Sequence, residues 1–201
     1  MAFNGKFTGG FLGTSSKPLV GTLYSHSLEN SLKEATITST AQLVPGDPVV
    51  VLVAQASQPT GQLDKFNPDN QVITKKATTT NTGKNDTAAC GFLIVNSNDR
   101  VSTGGVGLPQ KGQRAVYAPL GQGAIIWLEV ASANKSAFSA NLDSNTALTI
   151  DTTNGGVKLA NGVDVLEGAR LISGLIEGKK IVKNGGVGEL ADCLVVAVQL
   201  M

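Results

Sequence analysis

The chain has 201 residues, of which 41% are hydrophobic and only 15% are charged, and its formal net charge is +1. This length is sufficient to bury a self-supporting core without a disulfide or a structural metal. The lysines and arginines are scattered rather than clustered, which argues against the basic patch that direct binding to nucleic acid requires.

The start of the chain contains Gly, Ser and Thr throughout and lacks the continuous apolar core of a secretory signal, so we expect synthesis and folding in the cytoplasm. The longest apolar runs, such as residues 49–54, are far shorter than a membrane span, and we predict no membrane partner. Cys90 and Cys193 are isolated thiols without CxxC spacing. We expect each to be a small hydrophobe within a strand rather than half of a disulfide.

Residues 1–35 differ from the rest of the chain and are interpreted as an extended, Gly- and Phe-rich N-terminal arm. The phenylalanines recur every four residues, but each interleaved glycine costs a helix roughly 1 kcal/mol, which favours an extended conformation. Such an arm cannot bury aromatic rings within itself, so we expect it to dock on the body of the chain or on a neighbour, and a frayed terminus is the alternative. The predicted docking residues are Phe3, Phe7, Phe11, Leu12 and Leu19.

A short helix is predicted near residues 27–35, at the end of the arm. Leu28 and Leu32 would share one face of this helix, and Glu29 is placed to pair with Lys33.

Residues 36–201 are predicted to form the β body. β-branched apolar runs separated by Gly, Pro and Asn turns indicate roughly eight to ten short strands at regular spacing. The predicted fold class is therefore mainly β: a compact antiparallel β-barrel or sandwich of short strands with an extended N-terminal arm and at most one or two short helices. The predicted strands cover residues 35–44, 49–56, 71–80, 89–96, 114–118, 124–131, 148–153, 156–160, 169–177 and 192–200.

Turn signals place two hairpins in this body. Residues 114–118 and 124–131 are expected to pair around the Gly-rich turn 120–123. Asn154-Gly155 is typical of a two-residue type I′ turn, because both residues tolerate a positive φ. Residues 174–180 and 185–188 look superficially like fragments of phosphate-binding loops and are interpreted as turns.

The sequence contains no pattern that predicts catalysis, a cofactor or a metal site. His26 is the single histidine, and no HExxH, CxxC or EF-hand spacing occurs. Glu129 and Glu177 lie within apolar strands, where simple alternation predicts that they point outward. A pair of carboxylates facing each other across a cleft, as in a glycosidase, stays open at this stage.

Two aromatic residues of the body are candidate interface positions. Tyr117 and Trp127 lie on the strands either side of the turn 120–123. For Trp127, packing in the core and anchoring of a subunit interface are the two interpretations, since Trp serves both roles.

The order LVPGDPVVVLVA, VITKKATTT, CGFLIVNS and KGQRAVYAPLGQGAIIWLEVA resembles a family of tailed-bacteriophage capsid decoration, or head cement, proteins. The resemblance covers about residues 40–131. It implies a β-barrel on the outer surface of the capsid, commonly a homotrimer, that binds across major capsid protein subunits and has no enzymatic activity. It transfers no functional side chain.

Three alternatives remain beside this interpretation: another phage component such as a tail, a neck or a head-fibre base, a β-barrel hydrolase, and a ligand-binding barrel. If the arm interpretation is right, we expect deletion of residues 1–24 to leave the body folded while weakening capsid binding or trimer formation.

Overall fold

The computed structural model describes residues 17–24, 32–38, 42–53, 71–75, 89–95, 101–102, 105–106, 108–140, 142–162, 164–184 and 187–201. Within these ranges the protein is mainly β with one short α-helix, which confirms the predicted fold class. The strands are β1 Lys33–Ile37, β2 Pro48–Val53, β3 Gln71–Lys75, β4 Ala89–Leu93, β5 Val101–Ser102, β6 Gly105–Val106, β7 Arg114–Pro119, β8 Ala124–Val130, β9 Leu148–Ile150, β10 Val157–Leu159, β11 Ala169–Leu171, β12 Ile176–Asn184 and β13 Val187–Leu200. A 3-10 turn at Ser132–Asn134 precedes helix α1, Lys135–Phe138.

The first structural unit is a closed barrel in the order β1, β3, β2, β4, β7. Its strands pair antiparallel except for β1 and β3, which are parallel. In β2 the alternation of the strand turns Val49 and Val51 inward, while Val50 is only partly buried. Val49 and Val51 belong to a core that also contains Ile37, Leu43, Leu93 and Tyr117.

The second unit is a sheet built on the long strand β13. Residues 194 and 195 of β13 pair with both β12 and β8, so these two strands lie on opposite edges of β13. Strand β11 pairs with the C-terminal end of β13 and shares the edge of β12. The short β5–β6 hairpin meets β13 at Gly188 on the edge of β8.

The largest core cluster lies on one face of this second sheet. The even-numbered residues of β8, from Ala124 to Val130, and Val196, Val198 and Leu200 of β13 point into it. Strands β9 and β10 and Phe138 of α1 supply further members of the cluster. Phe92 and Ala118 of the barrel also belong to it, so the same apolar cluster joins the two units.

The predicted helix near residues 27–35 is wrong at its C-terminal end. Lys33 to Ala35 belong to β1, where they pair with Tyr117, Val116 and Ala115 of β7. This pairing with β7 outweighs a weak local helix preference. Residues 25–31, which include His26, lie outside the part of the chain that the structure describes.

Two turn predictions are wrong in part, and one pairing prediction is wrong. Residues 176–180 form the first half of β12, and residues 187–188 open β13, although both segments were interpreted as turns. β7 and β8 are adjacent along the chain but do not pair with each other: β7 joins the barrel and β8 joins β13. The turn at 120–123 therefore connects the two units instead of closing a hairpin.

The hairpin predicted at Asn154-Gly155 is present, with a longer loop than expected. β9 and β10 pair from Leu148↔Leu159 to Ile150↔Val157, which leaves residues 151–156 as the loop. The positive φ values fall on Gly155 and Gly156, at 83° and 74°. The loop is therefore not a two-residue turn, and hydrogen bonds to the Asp151 side chain hold its conformation.

Candidate functional site

Residues Lys17–Tyr24, here called the strap, join strands on opposite edges of β13. The Val20 N–H donates to the Lys179 carbonyl of β12, and the Lys179 N–H donates to Pro18. Two residues after Val20, the Thr22 carbonyl accepts a hydrogen bond from the Trp127 N–H of β8. The strap therefore links the outward edges of β12 and β8.

The strap also contacts the barrel. The Gly21 carbonyl accepts a hydrogen bond from the Val95 N–H, just beyond β4. Gly21 has φ 77°, and a Cβ at this position would lie 2.6 Å from the Pro45 Cβ, so a side chain does not fit here. The strap is therefore wedged between the barrel and the second sheet.

Leu19, one of the five predicted docking residues, docks on its own chain. It is 3% exposed and packs with Leu108 and Ile181, while Val20 packs with Trp127 and Val195. These residues are integral to the fold, although the sequence placed them in an arm. The other four predicted docking residues, Phe3, Phe7, Phe11 and Leu12, lie outside the described residues.

The two predicted body interface residues have different settings. Tyr117 is 2% exposed in the barrel core, where burial raises the pKa of its phenol, so its ring offers almost no surface to a partner. Trp127 is 9% exposed and lies under the ring of Tyr24, with 5.2 Å between the ring centroids. Tyr24 itself is 44% exposed.

Exposed apolar side chains share the face of the second sheet that carries Trp127. Residues opposite each other in antiparallel strands point to the same face, and Trp127 is opposite Ala197. Ile172 continues the β11 register through its hydrogen bond to Ala197, and Ile176 is opposite Val195. Both isoleucines are 41% exposed. We call the set Tyr24, Trp127, Ile172 and Ile176 the Trp127 face.

Glu129 lies on the same face and is mostly buried, contrary to the outward orientation predicted for it. Its side chain is 14% exposed, and its Oε1 is 2.6 Å from the Lys180 Nζ of β12. Alternation does turn Glu129 away from the main core, and on that side its carboxylate pairs with Lys180 of β12. Glu177 does point outward, with its side chain 72% exposed.

A groove of about 320 Å³ lies between the turn at residues 44–48, the loop at residues 151–156 and β12. Its acidic side chains already have partners within the chain. Asp47 Oδ2 accepts the Val44 N–H, and Glu129 is paired with Lys180.

Asp151, which also lines this groove, holds the loop between β9 and β10. Its Oδ1 accepts the N–H groups of Thr153 and Asn154, and its Oδ2 accepts the side-chain amides of Asn154 and Asn134. Burial alone would raise the pKa of Asp151, but these hydrogen bonds outweigh it and hold the pKa below the ordinary value. The carboxylate therefore serves a structural purpose and ties the loop to the 3-10 turn.

Cys193 lies beside a second depression of about 520 Å³, which Lys17, Glu177 and Asp192 also line. Burial raises the pKa of its thiol to about 12, so the nucleophilic thiolate is scarce at neutral pH. Its sulfur forms no disulfide, and within the described ranges no group of three or more His, Cys, Asp or Glu side chains is arranged to hold a metal ion.

Ion pairs hold the beginning of the strap to β12 and β13. Lys17 Nζ lies 2.7 Å from Glu177 Oε2 and 3.4 Å from Asp192 Oδ1, and Lys179 Nζ lies 2.9 Å from the same Asp192 oxygen. The hydrogen bond to Lys17 lowers the pKa of Glu177, and that to Lys179 lowers the pKa of Asp192. These groups are exposed, so they position the chain more than they stabilise it.

Comparisons with protein-family models, with curated proteins and with solved structures gave no match. Among the described residues, no helix has the length and apolarity needed to cross a membrane.

Proposed function

We propose that the protein is a non-enzymatic virion structural protein that decorates and stabilises a bacteriophage capsid by binding across major capsid protein subunits. The observation that carries the proposal is the Trp127 face, where Tyr24, Ile172 and Ile176 expose apolar surface on the second sheet. The order of sequence blocks that resembles head cement proteins supports the same interpretation.

Stabilisation would follow from mass action. A protein that binds the assembled shell, but not its dissociated subunits, lowers the free energy of the shell by an amount that grows with free protein concentration. Association of the protein into a trimer would multiply this effect, because three weak contacts held together act with high avidity. The partners under this proposal are the major capsid protein and further copies of the chain.

Co-sedimentation with undecorated capsids tests the proposal. We expect the full-length protein to pellet with the shells and to raise the temperature at which they dissociate. If the wild-type protein stays in the supernatant at saturating concentration, the capsid function is wrong, and the same assay with tails or necks then tests the other virion assignment.

A matched pair of variants tests the Trp127 face itself. Ile176→Gln removes an exposed apolar side chain from this face, whereas Leu190→Gln removes one that is 40% exposed on the opposite face of the sheet. Loss of one buried isoleucine contact costs about 1.5 kcal/mol, or roughly tenfold in affinity per site. Equal binding by the two variants would exclude this face as the contact surface.

A further inference from the structure

Two Asn-Gly pairs lie on either side of β10. Asn154-Gly155 lies in the loop before this strand, and Asn161-Gly162 lies just after it. An Asn followed by Gly can react with the next backbone nitrogen, because Gly has no Cβ to hinder the approach. Both asparagines are exposed to solvent, so both pairs are accessible to this chemistry. Their hydrogen bonds, however, differ.

The reaction is a cyclisation that needs only water. A solvent base removes the proton from the Gly N–H, and the nitrogen attacks the Asn Cγ. A new C–N bond closes a succinimide ring as the Cγ–Nδ2 bond breaks and ammonia leaves. Water then opens the ring at either carbonyl, which gives aspartate or isoaspartate. The nitrogen and the Cγ must first come within about 3–3.5 Å in the correct alignment, so contacts that hold either group in place slow the reaction.

Asp151 holds both reacting groups of the first pair. The Asn154 side-chain amide donates to Asp151 Oδ2 at 3.0 Å, and the Gly155 N–H donates to the Asp151 carbonyl at 2.8 Å. Both hydrogen bonds must break before the Gly155 nitrogen can attack. The Asp151 carboxylate also disfavours the negative charge that develops on the attacking nitrogen. Three separate effects of one residue therefore oppose cyclisation at Asn154.

The second pair has no such restraint. Within the described ranges, no hydrogen bond involves the Asn161 side chain or the Gly162 N–H. Gly162 is exposed, and a Cβ placed on it would have no neighbour within 4 Å. The Asn161 side chain is therefore free to rotate toward the Gly162 nitrogen.

We propose that Asn161 is a site of spontaneous conversion to aspartate and isoaspartate, and that Asp151 protects Asn154 from the same reaction. Protection matters for the fold at Asn154. A carboxylate there would face Asp151 Oδ2 across the present hydrogen bond, and repulsion between like charges would open the loop. At Asn161 the product adds a negative charge to an exposed segment. The inference does not depend on the capsid proposal, since it concerns chemistry within one chain.

Peptide mapping of the folded, full-length protein tests the proposal. Trypsin cleaves after Lys158 and Arg170, so Asn154 and Asn161 fall in separate peptides. During incubation at mildly alkaline pH, we expect Asn161 to convert at least about tenfold faster than Asn154. In guanidinium chloride, which removes the Asp151 contacts, the two rates should become similar. Equal rates in the folded protein, or faster conversion of Asn154, would overturn the proposal.

A matched pair of variants tests the protective role of Asp151. Asp151→Asn removes the carboxylate oxygen that accepts the Asn154 side-chain amide, so we expect severalfold faster conversion of Asn154 and no change at Asn161. Asn134→Ala removes a different hydrogen bond to Asp151 and keeps those from Asn154 and Gly155, so Asn154 should stay as slow as in the wild-type protein. An unchanged Asn154 rate in Asp151→Asn, or an equal increase in both variants, would show that Asp151 does not protect Asn154.

Discussion

Lys180 Nζ lies 2.6 Å from Glu129 Oε1 and so joins β12 to β8, which lie on opposite edges of β13. The strap links the same two strands through backbone hydrogen bonds to Lys179 and Trp127. The Glu129–Lys180 ion pair and the strap thus both link β12 to β8.

This pair should contribute measurably to stability because Glu129 is largely buried. We expect Glu129→Gln to lower the free energy of unfolding by about 1–2 kcal/mol, since it removes a charged hydrogen-bond acceptor from Lys180. A double-mutant cycle with Lys180→Met, measured by urea denaturation, should give a coupling energy of about 1 kcal/mol. The exposed pair Lys17–Glu177 is the control and should show no measurable coupling; equal coupling in both cycles would contradict the prediction.

Asp151 should make stability depend on pH in the acid range. Because its pKa is lower in the folded protein than the unfolded value of 3.8, its contribution is fully present above pH 3.8 and is lost as the pH falls through the folded pKa. Asp151→Asn keeps the shape of the side chain but removes the charge. We expect it to cost about 1–2 kcal/mol at pH 6 and much less near pH 2, as measured by denaturant titration at both values. A cost that does not change between the two pH values would contradict this.

The strands that could be predicted are those whose own residues carry the signal. Val49 and Val51 follow a Pro-Gly-Asp-Pro turn in a β-branched run, and the block around Trp127 is an almost continuous apolar run, so β2 and β8 appear where expected. β12 was missed because IEGKKIVKN contains few apolar residues. It is a strand because β13 pairs with it along its whole length, and such a partner cannot be read from the segment itself.

The strap was predicted only in outline. The sequence indicates an extended segment that docks, either on its own chain or on a neighbour, but nothing near Gly21 in the sequence shows that Pro45 is its neighbour. Only part of the Trp127 face could be predicted from the sequence. Trp127 is recognisable as a candidate anchor, but Ile172 and Ile176 join it through the register of four strands, β8, β11, β12 and β13, which the sequence does not specify.

Tyr24 should control the environment of Trp127, which is the single tryptophan of the chain and hence a specific fluorescence reporter. Tyr24→Ala removes the ring that lies 5.2 Å away, so we expect a red-shifted emission and stronger quenching by acrylamide. The loss of the aromatic pair should cost about 0.5–1.5 kcal/mol of stability. Tyr24→Phe keeps the ring and should behave like the wild-type protein. An unchanged spectrum in Tyr24→Ala would show that Trp127 is covered by other groups.

The strap should behave as part of the core and not as a removable arm. Leu19 is 3% exposed between Leu108 and Ile181, so Leu19→Ala should lower the free energy of unfolding by about 2–4 kcal/mol. Leu190→Ala, at an exposed position, should change the free energy of unfolding by no more than about 0.5 kcal/mol.

Truncation tests the same property of the strap. Deletion of residues 1–16 should preserve the cooperative urea transition, because the strap and its contacts remain. Deletion of residues 1–24 removes buried side chains and unpairs the outward edges of β8 and β12, so we expect it to abolish folding or broaden the transition. A truncated protein that starts at residue 25 and unfolds as cooperatively as the full chain would show that the strap is dispensable, and would restore the arm interpretation for residues 17–24.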